Sequence, residues 1–127
     1  MALVDRGGLS EEHVVVIKEF RAPANSWVLS LAAGMMDPDE TDCRTTAIRE
    51  LHEETGYISD LTKVLHVSIP SQTDPHKSTE SMRWVAISVD ASRPENTNPV
   101  ANLDGAENIE RVLLLPKSNL LQEIEKI

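Results

Sequence analysis

Residues 41–56 read Thr-Asp-Cys-Arg-Thr-Thr-Ala-Ile-Arg-Glu-Leu-His-Glu-Glu-Thr-Gly. Cys43, Ala47, Ile48 and Leu51 recur at helical spacing and form one apolar stripe. Thr41 or Asp42 can cap the start, and Gly56 sits where a C-terminal cap belongs. The spacing predicts a helix over 41–55. On that helix Glu50 and Glu54 are one turn apart, and Glu53 flanks the same ridge.

Three neighbouring carboxylates repel one another, and near a helix C-terminus the macrodipole disfavours them further. A sequence that tolerates both penalties suggests a positive partner. Hard divalent cations, Mg²⁺ or Mn²⁺, take carboxylate oxygens. For the three glutamates alone, a solvated acidic face is the plainer account. The flanking residues shift that weighing.

Outward from the helix the chain reads as strands. Residues 13–20 (HVVVIKEF) are rich in β-branched residues and predict a buried strand. Residues 26–32 predict a second, separated from the first by Pro and Asn at a turn. Residues 61–69, 82–90 and 109–115 predict three more. Pro116 is expected to open a helix over 117–126, with Leu120, Leu121, Ile124 and Ile127 facing inward. The polar loop 91–107 is long enough to carry function. Residues 1–10 read as a leader broken by Gly7-Gly8, which leaves 11–127 as a single domain. One central and one terminal helix among strands imply a mixed α/β sandwich.

The 127 residues suffice for one domain with a real core. A formal net charge of −9 argues against nucleic acid as a partner, because an acidic surface repels a phosphate backbone. A small phosphorylated ligand is still admitted, since a bound cation reverses the local sign. No apolar run is long enough to span a membrane. With one cysteine, Cys43, no intramolecular disulfide forms, and Cys43 reads as core on the apolar stripe. Cytosol or nucleus is the expected compartment. His13, His52, His66 and His76 show no ligand spacing. Trp27 and Trp84, at strand positions, are expected to be core rather than stacking platforms.

The longer string is Gly34-x5-Glu40-x8-Arg49-Glu50-Leu51-x-Glu53-Glu54-x-Gly56-Tyr57. It closely resembles the Nudix box, Gly-x5-Glu-x7-Arg-Glu-U-x-Glu-Glu-x-Gly-U, where U is bulky and apolar. The second half matches without a gap. The spacer has one extra residue within 41–48, which is expected to bulge the loop before the helix and bears mainly on Glu40. The resemblance implies a Nudix-type α/β/α sandwich with a mixed β-sheet. It implies metal binding by the Ala33 carbonyl, Glu50, Glu53 and Glu54, with Glu53, Glu54 and Glu107 as catalytic candidates. Gly34 would let the backbone bend so that Ala33 faces the metal and the substrate. Arg49 and Glu40 would orient the neighbouring glutamates.

Outside the box, KEFRAPANSWVLSLAAG resembles the ADP-ribose pyrophosphatase branch, where Lys-Gln-Phe-Arg-Pro-Pro precedes Glu-Leu-Pro-Ala-Gly. The likeness runs through Asp74-Pro75, Glu95-Asn96, Asp104-Gly105-Ala-Glu107 and LLLPKSNLLQEIE. It implies cleavage of ADP-ribose or another ADP-sugar to AMP and a sugar phosphate, with Arg21 facing phosphate. Ser30 and Ala32 replace the strand glutamate and proline, and His76 stands where the branch has glycine. In the resembling enzymes an extra N-terminal sheet swaps between two subunits and stacks on adenine; this chain begins near the start of the core. A homodimer is the corresponding expectation. Two alternatives stand beside the hydrolase: a degenerate Nudix domain that binds nucleotide or a protein without turnover, and a Nudix hydrolase of another nucleotide.

Overall fold

The computed structural model describes residues 2–5, 11–103, 105 and 107–127. Among them the chain forms β1 (Ala2–Asp5), β2 (His13–Arg21), β3 (Ser26–Ser30), α1 (Cys43–Thr55), β4 (Val64–Val67), β5 (Ser71–Gln72), β6 (Ser81–Met82), β7 (Val85–Asp90), β8 (Ile109–Pro116) and α2 (Leu120–Glu125). Short 3₁₀ turns stand at Ala22–Ala24, Leu61–Lys63, Pro94–Asn96 and Lys117–Asn119.

β2 organises the sheet. One edge pairs antiparallel with β8 from His13 to Glu19. The other edge is divided: His13 and Val14 pair with β1, and Ile17–Arg21 pair with β3. β1 then runs parallel to β7, and β4 closes that side antiparallel to β7. The sheet is therefore mixed, as expected. β5 and β6 form a separate two-stranded ribbon.

The period of two along β2 sends its side chains to two different cores. Val15 packs with Leu51, Tyr57, Val85, Ile87 and Val89 beneath α1. Val14 and Val16 pack with Leu115, Leu29 and Leu120 on the opposite face. Burying each such aliphatic side chain contributes about 1.5–3 kcal/mol. Helix α1 covers one face and α2 the other, which makes the predicted α/β/α sandwich. Cys43, Ala47 and Ile48 lie against the α1-side core, as the apolar stripe implied.

α1 ends at Thr55 as predicted and starts at Cys43, two residues later than the predicted 41, with one of the two candidate caps in place. Asp42 is the N-cap, its carboxylate accepting from the Arg44 N–H at 2.9 Å. Gly56 terminates the helix at φ 77°, its N–H donating to the His52 carbonyl. A Cβ at Gly56 would also lie 2.3 Å from the Val100 backbone nitrogen, so conformation and space both require glycine.

Four expectations need correction. Ala2–Asp5 is not leader but a strand inside the sheet, between β2 and β7. Four residues are too few to show a period, and both partner edges are remote in sequence. Residues 6–10, with Gly7-Gly8, lie outside the described residues. The segment 61–69 begins as a 3₁₀ turn, because Asp60 caps the Thr62 N–H at 2.9 Å. Pro116 ends β8 and, as expected, opens a helical segment, which starts as the 3₁₀ turn Lys117–Asn119 and continues as α2, but only Leu120 of the predicted inner face packs on the core. Leu121 is 77% exposed, since six helical residues are too short to bury a full stripe. Trp27 and Trp84 are 48% and 50% exposed, not core. Trp27 lies opposite Phe20 on the α2 side of the sheet, edge-on to that ring, with the Lys18 ammonium 5.6 Å from its own ring. No described helix is long and apolar enough to cross a membrane.

Candidate metal and substrate site

The loop leaving β3 crosses the last turns of α1. There the Ala33 N–H donates to Glu54 Oε2 at 2.9 Å. A Cβ at Gly34 would fall 1.9 Å from Glu50 Oε1. Gly34 is thus required by close approach to a carboxylate. Among the described glycines only Gly56 has a positive φ, so it is space and not a left-handed backbone that calls for glycine at position 34.

Glu50 and Glu54 are buried, and each offers an oxygen to a cluster that Glu107 completes. The three oxygens lie within 4.8 Å of one another. Burial pushes the Glu54 carboxyl up from 4.5 to about 7; the Ala33 N–H opposes this, and the charges of Glu50 and Glu107 add to it. Burial also raises Glu50, against the pull of Arg49.

Glu107 reaches the cluster from the loop after β7, which is fastened to the end of α1. Buried Asn96 accepts from the Ile58 N–H at 2.7 Å and donates to the Ile58 and Asp90 carbonyls. The Asn102 N–H donates to the Glu53 carbonyl at 2.8 Å. Asp104 and Ala106 lie outside the described residues.

Glu53 and Glu40 have a different environment. Arg49 donates from Nη1 to Glu53 at 2.7 Å and to Glu50 at 2.9 Å. Its Nε and Nη2 reach the two Glu40 oxygens, each at 3.2 Å, and Nη2 also reaches the Met35 carbonyl. Hydrogen bonds from Arg49, then from the Asp37 N–H, hold the Glu40 carboxyl down at about 2. Thr46 adds a hydroxyl donor at 2.8 Å. Arg49 is itself raised, chiefly by Glu40. The extra spacer residue therefore leaves Glu40 on Arg49. Glu53 is not among the three carboxylates that converge.

Arg21 shares the α1 face of β2 with Ile17 and Glu19, and forms an ion pair with Glu19 at 2.8 Å. Sequence reading passed over Glu19 and Thr46, and gave Asn96 a place in the resemblance but no role. The signal for Glu19 was a charged residue in phase with inward Val15 and Ile17. For Asn96 the resemblance marked the position, but its bonds to Ile58 lie too far along the chain to be read from the sequence. A separate hollow of about 640 Å³, lined by Thr45, Ile48, Asp60, Leu61 and Thr62, includes none of the clustered glutamates.

Residues 3–124 match the family model described as the NUDIX domain, which agrees with the sandwich, the glycine-backed glutamates and the arginine that braces them. The chain belongs to the Nudix family. It is 41% identical over 115 residues to nudix hydrolase 2 of Caenorhabditis elegans, covering 91% of this chain and 50% of that protein. It is 36% identical over 99 residues to the ADP-ribose pyrophosphatase of Saccharomyces cerevisiae, covering 78% and 41%. With the ADP-sugar pyrophosphatase of Mus musculus it shares 31% identity over 119 residues, covering 94% and 52%. The chain thus spans about half the length of the curated relatives it matches.

Proposed function

We propose that this protein is a divalent-metal-dependent pyrophosphohydrolase that splits ADP-ribose or a related ADP-sugar into AMP and a sugar phosphate. One observation carries the reading: the convergence of Glu50, Glu54 and Glu107, two of them buried, with oxygens within 4.8 Å. The residues fit a hard cation. The clustered donors are carboxylate oxygens, and Gly34 leaves the space in which the Glu50 carboxylate stands. Glu50, Glu54 and the Ala33 carbonyl would hold Mg²⁺ or Mn²⁺. Such an ion neutralises diphosphate charge and makes a bound water acidic.

The chain's own residues supply the rest. Glu107 stands beside the ligands and takes the proton from the attacking water. Glu53, bound to Arg49, is the weaker candidate for that role. Arg49 holds Glu50 in place. Arg21 meets the substrate's phosphate with its planar fork. The names of the yeast and mouse relatives support the substrate class.

The test is AMP release from ADP-ribose with Mg²⁺, alongside Glu54→Gln and an EDTA control. Metal-dependent release that the variant loses is the expected result. A folded protein that releases nothing from ADP-ribose or a panel of ADP-sugars would overturn it in favour of a binding domain or another nucleotide.

A further inference from the structure

Resting on that diphosphate-binding reading, we propose that Glu19 is a positioning residue that aims the Arg21 guanidinium at the substrate's phosphates, with Ser30 locking Glu19 in place. Glu19 is buried, although a carboxylate at that depth in a strand is costly unless partnered. It has two partners. The Ser30 hydroxyl donates to Oε1 at 2.5 Å from the adjacent strand, and Arg21 Nη2 reaches the same oxygen at 2.8 Å. The Ser30 and Arg21 contacts thus fix one carboxylate oxygen from two directions.

The arrangement matters because of where Arg21 stands. Its side chain is 57% exposed, so the pair with Glu19 leaves guanidinium donors free to reach a ligand. An arginine this exposed would otherwise sample many rotamers, each one an entropy cost on binding. Glu19 removes that cost beforehand. Glu19 is also one of the charges that act on Glu54, which sets this part of β2 within electrostatic range of the acidic cluster. Strand alternation agrees, since Val15, Glu19 and Arg21 are in phase on the face that α1 covers. The branch pattern puts glutamine at position 19 and glutamate at position 30. Here the carboxylate stands on β2 and the small hydroxyl on β3, diagonally across the strand pair.

The experiment measures the calorimetric Kd for ADP with Mg²⁺, and kcat and KM for ADP-ribose, in Glu19→Gln, Arg21→Ala and the double variant. Glu19→Gln keeps the shape and an acceptor for Ser30 but removes the charge. Its Kd and KM should rise roughly tenfold, the scale of one charge-assisted hydrogen bond, with kcat within about twofold of wild type. In the Arg21→Ala background, Glu19→Gln should change neither constant. An unchanged Kd, a fall confined to kcat, or additive effects in the double variant overturns the proposal. Should Glu19→Gln melt below the assay temperature, Ser30→Ala decides: a roughly twofold to threefold rise in Kd supports it, and no rise overturns it. A wild type that binds no ADP overturns it as well. Binding of ADP without turnover of ADP-ribose removes only the substrate reading.

Discussion

The two sides of the α1 ridge hold the same residue type in opposite electrostatic states. On one side Glu40 and Glu53 share Arg49, and Glu40 is held as a carboxylate down to about pH 2. On the other, Glu54 is buried and accepts from the Ala33 N–H, and its carboxyl rises to about 7. Glu50 joins the two sides, touching Arg49 while offering an oxygen to the cluster. The arginine side is electrostatically complete and acts as a brace. The buried side carries negative charge that burial makes costly, and a divalent cation would relieve it. Spacing on a helix makes carboxylates neighbours; their surroundings decide which of them are poised for metal.

The largest way to break this contrast is Glu54→Gln. AMP release should fall roughly a thousandfold, with Mn²⁺ binding by paramagnetic resonance lost in parallel. Retained Mn²⁺ affinity would remove Glu54 from the ligand set. Gly34→Ala comes next. Its new methyl collides with the Glu50 carboxylate, and kcat should drop roughly a hundredfold while the circular dichroism stays that of a folded sandwich.

A matched pair tests which side the catalytic proton belongs to. Glu107→Gln should lower kcat by roughly a hundredfold and Glu53→Gln by less than about tenfold. The reverse order would move the base to the arginine side.

The pH dependence of stability gives a smaller effect. Glu54 has a folded pKa raised from 4.5 to about 7. Below 4.5 both folded and unfolded chains hold its proton. As pH rises through about 7 the folded state loses that advantage, so the metal-free protein should lose about 3 kcal/mol over this window. Glu54→Gln should flatten that segment of a denaturation series run in EDTA, and Mg²⁺ should restore the wild type at pH 8. A wild type equally stable at pH 4.5 and 8 would contradict the burial argument. Smallest of all, Glu40→Gln should cost severalfold in kcat/KM with little change in melting temperature, because Arg49 retains Glu50 and Glu53 as partners.

The helix and its caps were legible because their signals are local: the stripe through Leu51, the Asp42 cap and Gly56 all lie within sixteen residues. The resemblance supplied Gly34, Glu40 and Arg49 before any geometry was known. β1 was not legible, because its backbone bonds belong to β2 and β7 and four residues show no period. Nor were the tryptophans. A strand position says which way a side chain alternates, not whether another layer covers it, and Trp27 and Trp84 remain half uncovered.

The sequence by itself determined a mixed α/β sandwich, one capped helix with a carboxylate ridge, and the family to which that ridge belongs. Periodicity and capping act over a few residues, and a motif is written in them. Only the tertiary structure decided that Glu107 rather than Glu53 joins Glu50 and Glu54, that Gly34 serves as space for a carboxylate, and that Glu19 bridges Ser30 and Arg21. Those relations depend on burial and on contacts between elements far apart in the chain, which no local pattern encodes.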